Sequence, residues 1–124
     1  MYIGKQKTAK VKITRIYYDE SHFEEKELKT IDECFPLKDK PAATWINIDG
    51  IHQTGNIEKI GKNFKIHPLV LEDIMNTGQR PKMEDFGDYL FVVLKMLHYD
   101  EKENETKTEQ VSLILSSNYV ISFQ

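Results

Sequence analysis

The segment from Tyr89 to Leu97 constrains the fold of this 124-residue chain more than any other, because it is apolar on both strand faces apart from Lys95. An amphipathic helix or a half-buried edge strand would show a regular recurrence of polar residues instead. A run that is apolar on both faces is typical of a central strand covered above and below. We therefore predict a sheet with this segment near its centre and elements packed on both sides.

Five further segments have strand patterns, and Gly, Pro, Asn or charged residues separate them. They are Lys10–Tyr18, Phe23–Leu28, Thr44–Asp49, Val111–Leu115 and Tyr119–Phe123. The last two are expected to form a hairpin around Ser116–Asn118. The charged stretch from Asp100 to Lys107 contains no apolar residue and is predicted to be a loop.

Three helices are predicted between the strands. Thr30 and Glu33 match a capping box, and the short helix that follows is expected to end before Pro36. A second helix has Ile57, Ile60 and Phe64 on its inward face. A third begins at Pro68, buries Leu71, Ile74 and Met75, and ends at Gly78. The predicted order, β-β-α-β-α-α-β-β-β, is that of an α/β domain with a mixed sheet and helices packed on it.

The composition excludes several functional classes. The net charge is −3, and Lys and Arg are scattered among acids, so no basic surface for nucleic acid is expected. The single Cys34 permits neither an intramolecular disulfide nor a cysteine pair for zinc. A membrane helix needs about 20 apolar residues, and the longest wholly apolar run is Leu90–Leu94. We expect residues 1–124 to form one soluble domain that does not span the membrane.

The histidines and one acidic pair are the candidates for chemistry. His67 precedes Pro68 and is expected to cap the third helix, although a small hydrolase using His67 or His52 with an acidic partner remains an alternative. Glu72 and Asp73 are adjacent, and helical neighbours point about 100° apart, so they cannot both hold one ion from that helix. Each can supply one ligand to a site that another segment completes, or both can lie on a solvated face.

The two helices between Ile57 and Gly78 also have the size of a helix-turn-helix. The second of them carries Glu72 and Asp73 and would aim carboxylates at phosphates, so DNA binding is disfavoured.

Several stretches resemble, in order and at ordinary separations, the CorA family of magnesium channels. They are Thr44–His52, His67–Ile74, Gln79–Lys82, Tyr89–Met96 and Glu109–Ser112. The resemblance covers most of the chain and is clearest from Thr44 to Met96. It implies a homopentameric channel in the cell membrane whose subunits each contribute an α/β/α domain like this one to a cytosolic funnel.

The resemblance further implies that a long stalk helix and two membrane helices follow such a domain. This chain has neither these nor the family's Gly-Met-Asn signature, so we expect a piece truncated before them. Its expected function is to sense Mg²⁺ and gate transport of Mg²⁺, or of Co²⁺ or Ni²⁺, without enzymatic activity. The alternative is a protein-interaction domain of the same fold that binds no metal.

The site residues carried over from the resemblance are Asp73 and Glu72. In the family, the acid that matches Asp73 faces an acid on the neighbouring subunit's stalk helix, and Mg²⁺ between them favours the closed state. Glu72 lies near the same interface. We therefore expect a regulatory Mg²⁺ half-site on an exposed surface, which binds the ion weakly without its partner subunit.

Two further expectations concern packing. The predicted helices are too few to cover both faces of the sheet, so one apolar face should be exposed. Trp45 should pack in or at the edge of the core, where its replacement by alanine would remove about 3 kcal/mol or more if it is well buried.

Overall fold

The computed structural model describes residues 11–37, 43–51 and 54–124. In these residues, seven strands form one sheet: β1 (Lys12–Tyr18), β2 (Phe23–Leu28), β3 (Ala43–Asp49), β4 (Lys82–Asp85), β5 (Leu90–Asp100), β6 (Glu105–Leu115) and β7 (Tyr119–Phe123). A 3-10 helix covers Ile31–Leu37, and two α-helices follow β3, namely α1 (Thr54–Phe64) and α2 (Pro68–Met75). The strand order across the sheet is β2-β1-β3-β7-β6-β5-β4.

The sheet consists of two antiparallel groups of strands joined by one parallel pair. In the first group, β1 lies between β2 and β3, and in the second, β4 to β7 form a meander. The last strand, β7, lies parallel to β3, with Ile46 opposite Ile121. This arrangement confirms the predicted α/β class with a mixed sheet.

The 3-10 helix, α1 and α2 pack on the same face of the sheet. Ile46 on β3, Ile121 on β7, Ile114 on β6 and Phe91 on β5 form a row of directly opposed residues, each at most 1% exposed. The helices bury the following apolar side chains against this face: Ile31, Cys34, Ile57, Ile60, Phe64, Val70 and Ile74. The core is therefore a single layer between the sheet and its helices.

The turn between α1 and α2 fixes the position of α2 on the sheet. Lys65 adopts a left-handed backbone with φ of 57°, and the Ile66 amide donates to the Gly61 carbonyl at 2.9 Å. This six-to-one hydrogen bond satisfies a carbonyl at the end of α1. Gly61 also contacts Leu71 so closely that a Cβ at position 61 would overlap that side chain. The two helices predicted between Ile57 and Gly78 are thus joined by only three residues, Lys65 to His67.

The predicted position of Tyr89–Leu97 at the centre of the sheet is wrong. Strand β5 is second from the edge, because Lys82–Asp85 forms the additional edge strand β4. The predicted loop from Asp100 to Lys107 is too long, since β5 and β6 pair as far as Asp100 and Glu105 and only residues 101–104 form the turn. Polar residues at these positions are compatible with a strand because both faces of the distal hairpin are exposed.

Two predicted helix ends differ from the structure. Helix α2 ends at Met75 rather than at Gly78, because Asn76 adopts an extended backbone and its side chain accepts from the Gly78 amide. The 3-10 helix continues through Pro36, whose fixed φ suits that geometry. The Glu33 carboxylate does reach back to the Thr30 amide at 3.0 Å, and its hydrogen bonds to Thr30 and Lys29 lower the pKa of Glu33.

The other side of the sheet is left uncovered by the helices that the structure describes. We call it the open face. Apolar residues that share this face by strand register include Ile16, Trp45, Val120, Leu115, Leu90, Leu113, Val92, Met83, Leu94, Val111 and Met96. Met96 is 57% exposed and Met83 is 70% exposed. The expectation of an exposed apolar sheet face is therefore confirmed.

Trp45 lies on the open face rather than in the core. Its side chain is 43% exposed, and its indole N–H donates to the Ser122 hydroxyl at 2.9 Å. The Ser122 hydroxyl in turn donates to Asn47 Oδ1 at 2.6 Å. The alternation of the β3 sequence does not reveal which face the helices cover. Trp45 is therefore more exposed to solvent than the sequence predicts.

We expect Trp45→Ala to lower the free energy of unfolding by about 1–2 kcal/mol, less than for a fully buried Trp, because much of the ring is already in water. Urea denaturation measures this loss. Trp45→Phe keeps an aromatic ring but removes the N–H, so it separates packing from the hydrogen bond to Ser122. A loss above about 3 kcal/mol for Trp45→Ala would mean that the open face is covered in solution.

Candidate metal centre around Asp73

Asp73 lies in the last turn of α2, where the helix faces the edge strand β4. Its side chain is 30% exposed, so the carboxylate is part of the surface and only partly shielded from solvent. Strand alternation places Lys82 and Glu84 of β4 on the face that the helices cover, opposite Val93 and Phe91 of β5. The two β4 side chains therefore point toward the end of α2.

Lys82 joins the two carboxylates. Its Nζ lies 2.6 Å from Asp73 Oδ2 and 3.1 Å from Glu84 Oε1. The hydrogen bonds to Asp73 and Glu84 raise the pKa of Lys82 above its usual value, so the ammonium is charged at neutral pH. The same ammonium lies 5.6 Å from the centroid of the buried Phe91 ring. Asp73 therefore has a positively charged partner within its own domain.

Side chains from three elements hold the end of α2 in place. The Gln79 amide donates to the carbonyl oxygens of Asp73 and Asn76. Gln110 on β6 donates to the Asn76 carbonyl at 2.8 Å, and Lys95 on β5 donates to the Thr77 carbonyl at 3.1 Å. Lys95, the one charged residue in the apolar run, thus holds the turn that follows the helix. This packing positions the Asp73 backbone against the sheet.

The donor atoms suit a hard cation in type but not in number. Carboxylate oxygens are the ligands that Mg²⁺ prefers, and it commonly takes one or two of them. Asp73 and Glu84 supply such oxygens on either side of Lys82, whose ammonium lies where a cation would be attracted. Within residues 11–37, 43–51 and 54–124, no group of three or more His, Cys, Asp or Glu residues is placed to hold a metal. These residues therefore supply fewer ligands than an octahedral ion needs.

Glu72 is not brought together with Asp73. The Glu72 side chain is exposed, and the carboxylate that pairs with Lys82 is that of Asp73. Lys82 and Glu84 were not predicted as members of this site. They could have been found from the sequence, because Lys82 and Glu84 follow Pro81 and are two residues apart. In a short strand that spacing puts both side chains on one face.

His67 has a structural role in the residues that the structure describes. Its Nδ1 accepts from the Leu69 amide at 3.1 Å, and its own amide donates to the Tyr89 hydroxyl at 3.0 Å. The expectation that His67 caps the helix is confirmed. Two clefts, one between Asp85 and Ser117 and one between Tyr18 and Val120, are not lined by His67. His52, the other hydrolase candidate, lies outside the described residues.

Cys34 is buried, and burial raises the pKa of its thiol to about 12. It is therefore a neutral core side chain at physiological pH rather than a thiolate ligand or nucleophile.

In the described part of the chain, no helix has the length and hydrophobicity needed to cross a membrane.

Comparison with known proteins gives one family and two curated relatives. Residues 41–124 match the model of the CorA-like Mg²⁺ transporter protein family. The whole chain is 45% identical to a cobalt/magnesium transport protein CorA of Thermotoga maritima and spans 35% of that protein. Over 60 residues it is 33% identical to a putative metal ion transporter of Bacillus subtilis, of which it spans 18%.

Solved structures share the fold at low sequence identity. The chain aligns with the complete CorA magnesium transporter of Methanocaldococcus jannaschii with a TM-score of 0.63 at 14% identity, covering 90% of this chain and 31% of that one. The soluble domain of the same transporter gives a TM-score of 0.59 at 18% identity, covering 90% and 39%. The full-length CmaX protein gives 0.71 at 13% identity, covering 91% and 34%.

Proposed function

Because this chain belongs to the CorA-like family of Mg²⁺ transporter proteins, we propose that it is the cytosolic regulatory domain of a divalent-cation transporter. In this proposal the domain senses intracellular Mg²⁺ and biases the transporter toward its closed state. The pore, the stalk helix and the membrane helices belong to other parts of the full-length protein. The domain itself catalyses no reaction.

The observation that carries the proposal is the position of the Asp73 carboxylate. It lies at the outer end of α2, part exposed, beside a second carboxylate on β4, and hydrogen bonds from Gln79 and Gln110 fix the helix end. A carboxylate held in this way can face an acid on a neighbouring subunit. Two facing carboxylates repel each other, and a divalent cation supplies the charge that lets them approach.

Asp73 would then couple ion concentration to subunit arrangement. A ligand shifts an equilibrium only if it binds one state more tightly than the other. Asp73 and its partner acid lie close together in only one arrangement of the subunits, so only that arrangement gains from the cation. The proposed partners are the neighbouring copies in a homopentamer, in particular the stalk helix next to Asp73.

The test is ion flux through the full-length transporter, measured against internal Mg²⁺ concentration. We expect Asp73→Asn to need at least about tenfold more Mg²⁺ for half-inhibition, because one carboxylate of the shared site loses its charge. The ion preference of the pore should not change. Glu58→Gln is the matched control, since Glu58 on α1 is an exposed acid outside the proposed site and loses its charge in the same way. An inhibition curve for Asp73→Asn that equals the parent's would remove Asp73 from the mechanism.

A second candidate function is a domain that only binds other protein segments and no metal. The open face favours it, since a contiguous apolar surface of this kind usually marks an interaction site. The two candidates give different results in the same experiment. Under the second, neither Asp73→Asn nor chelation of internal Mg²⁺ would alter gating.

A further inference from the structure

We propose that the Lys82 ammonium competes with divalent ions for the Asp73 carboxylate. When a divalent ion displaces Lys82 from Asp73, the ammonium stays bound to Glu84 alone. This inference rests on the proposed function, because it assigns the regulation of the same site. Lys82 would set how much Mg²⁺ is needed for regulation, rather than serve only as a structural ion pair.

The geometry supports competition. The ammonium is 2.6 Å from Asp73 Oδ2, which is direct contact, so it blocks that oxygen from an incoming cation. Lys82 and a divalent ion also carry like charges and repel each other at such a distance. A cation can therefore use this oxygen of Asp73 only after Lys82 has moved away.

Glu84 lowers the free energy needed to move Lys82 away from Asp73. It already lies 3.1 Å from the Lys82 ammonium, so Lys82 keeps a charged partner when it leaves Asp73. One ammonium between two carboxylates leaves a local charge of −1, so the cluster still attracts a cation from solution. The side chain of Lys82 is 35% exposed, which leaves its ammonium room to move. The proposal thus has two states: Lys82 contacts both carboxylates in the first, as in this structure, and Glu84 alone in the second.

A similar cluster elsewhere in the chain provides a matched control. Lys107 lies 3.1 Å from Asp100 and 3.0 Å from Glu103, at the far end of the hairpin formed by β5 and β6. It has the same charges and comparable distances but does not touch Asp73. Replacement of Lys107 therefore reports what the loss of any lysine between two acids does to the protein.

The experiment uses the full-length transporter and MgCl₂, with two readouts. One is the Mg²⁺ concentration for half-inhibition of flux, and the other is the concentration for half-protection from limited proteolysis, which requires no transport. We expect Lys82→Met to lower both midpoints by about three- to tenfold, since a partly exposed like charge is removed. Lys107→Met and the charge-keeping Lys82→Arg should leave both midpoints near the parent's. Lys82→Gln replaces Lys82→Met if circular dichroism finds that variant unfolded.

The outcomes separate this inference from the proposed function. If Asp73→Asn raises the midpoints but Lys82→Met leaves them unchanged, the competition is refuted and the regulatory role of Asp73 stands. If Asp73→Asn has no effect, the proposed function fails, and the inference fails with it. Transfer to Glu84 predicts that Glu84→Gln raises the midpoints in the parent much more than in Lys82→Met. Equal effects in both backgrounds would refute the transfer.

Discussion

Replacement of Phe91 by alanine is expected to lower the free energy of unfolding by about 3–5 kcal/mol, the largest loss we expect from any single truncation. Phe91 is fully buried at the β5 end of the row of buried residues that crosses the sheet, opposite Ile114 of β6. Its ring also supports the Lys82 ammonium. The neighbouring strands are paired on both sides of Phe91, so they cannot collapse into the cavity.

The matched control for Phe91→Ala is Leu97→Ala, on the same strand and the same face. Leu97 is 69% exposed, so its truncation should change stability by less than about 0.5 kcal/mol. Urea denaturation followed by circular dichroism measures both variants. Because domain stability is commonly about 5–15 kcal/mol, the Phe91 variant should unfold at a much lower urea concentration. Equal losses for the two variants would contradict the described core.

The 124-residue chain studied alone is expected to self-associate through the open face. Its apolar residues form rows across the sheet, such as Trp45, Val120 and Leu115, with no described helix above them. Apolar area on this scale favours association at roughly 25 cal/mol per Å² buried. Sedimentation velocity at increasing concentration should therefore detect species larger than the monomer.

Charges on the open face should abolish this association. We expect the double variant Leu94→Glu and Met96→Glu to sediment as a monomer, because burying unpaired carboxylates is unfavourable. The control, Thr106→Glu and Thr108→Glu, adds the same charge to the opposite face of the same hairpin and should still associate. A parent chain that stays strictly monomeric at high concentration and binds no dye for apolar surface would contradict the prediction.

Most of the fold was predictable because local patterns and tertiary packing agree. Ile57, Ile60 and Phe64 recur at helical spacing and are all buried, and the missing amide proton of Pro68 marks the start of α2. Strand β4 was missed because Lys82–Asp85 is short and polar, and only pairing with β5 makes it a strand. The apolar run in β5 suggested a central strand, although one of its faces is open.

The candidate site was predictable only in part. Family resemblance singled out Asp73, but its partner Lys82 lies nine residues later on a different element. Their contact depends on how α2 packs over the edge of the sheet, which no local pattern encodes. Glu72 is adjacent in sequence and chemically equivalent, yet the helical rotation of about 100° turns it away from β4. The choice between two neighbouring acids therefore required the structure.

The parallel pairing of β3 with β7 has a consequence for synthesis of the protein on the ribosome. Thr44 lies opposite Tyr119, 75 residues later, so one side of β3 has no partner until nearly the whole domain has emerged. At about 5–20 residues per second, that delay lasts on the order of 4–15 s. During this time the nascent chain presents an unpaired strand edge with Ile46 and Ile48 unburied, which makes it a substrate for chaperones and for aggregation.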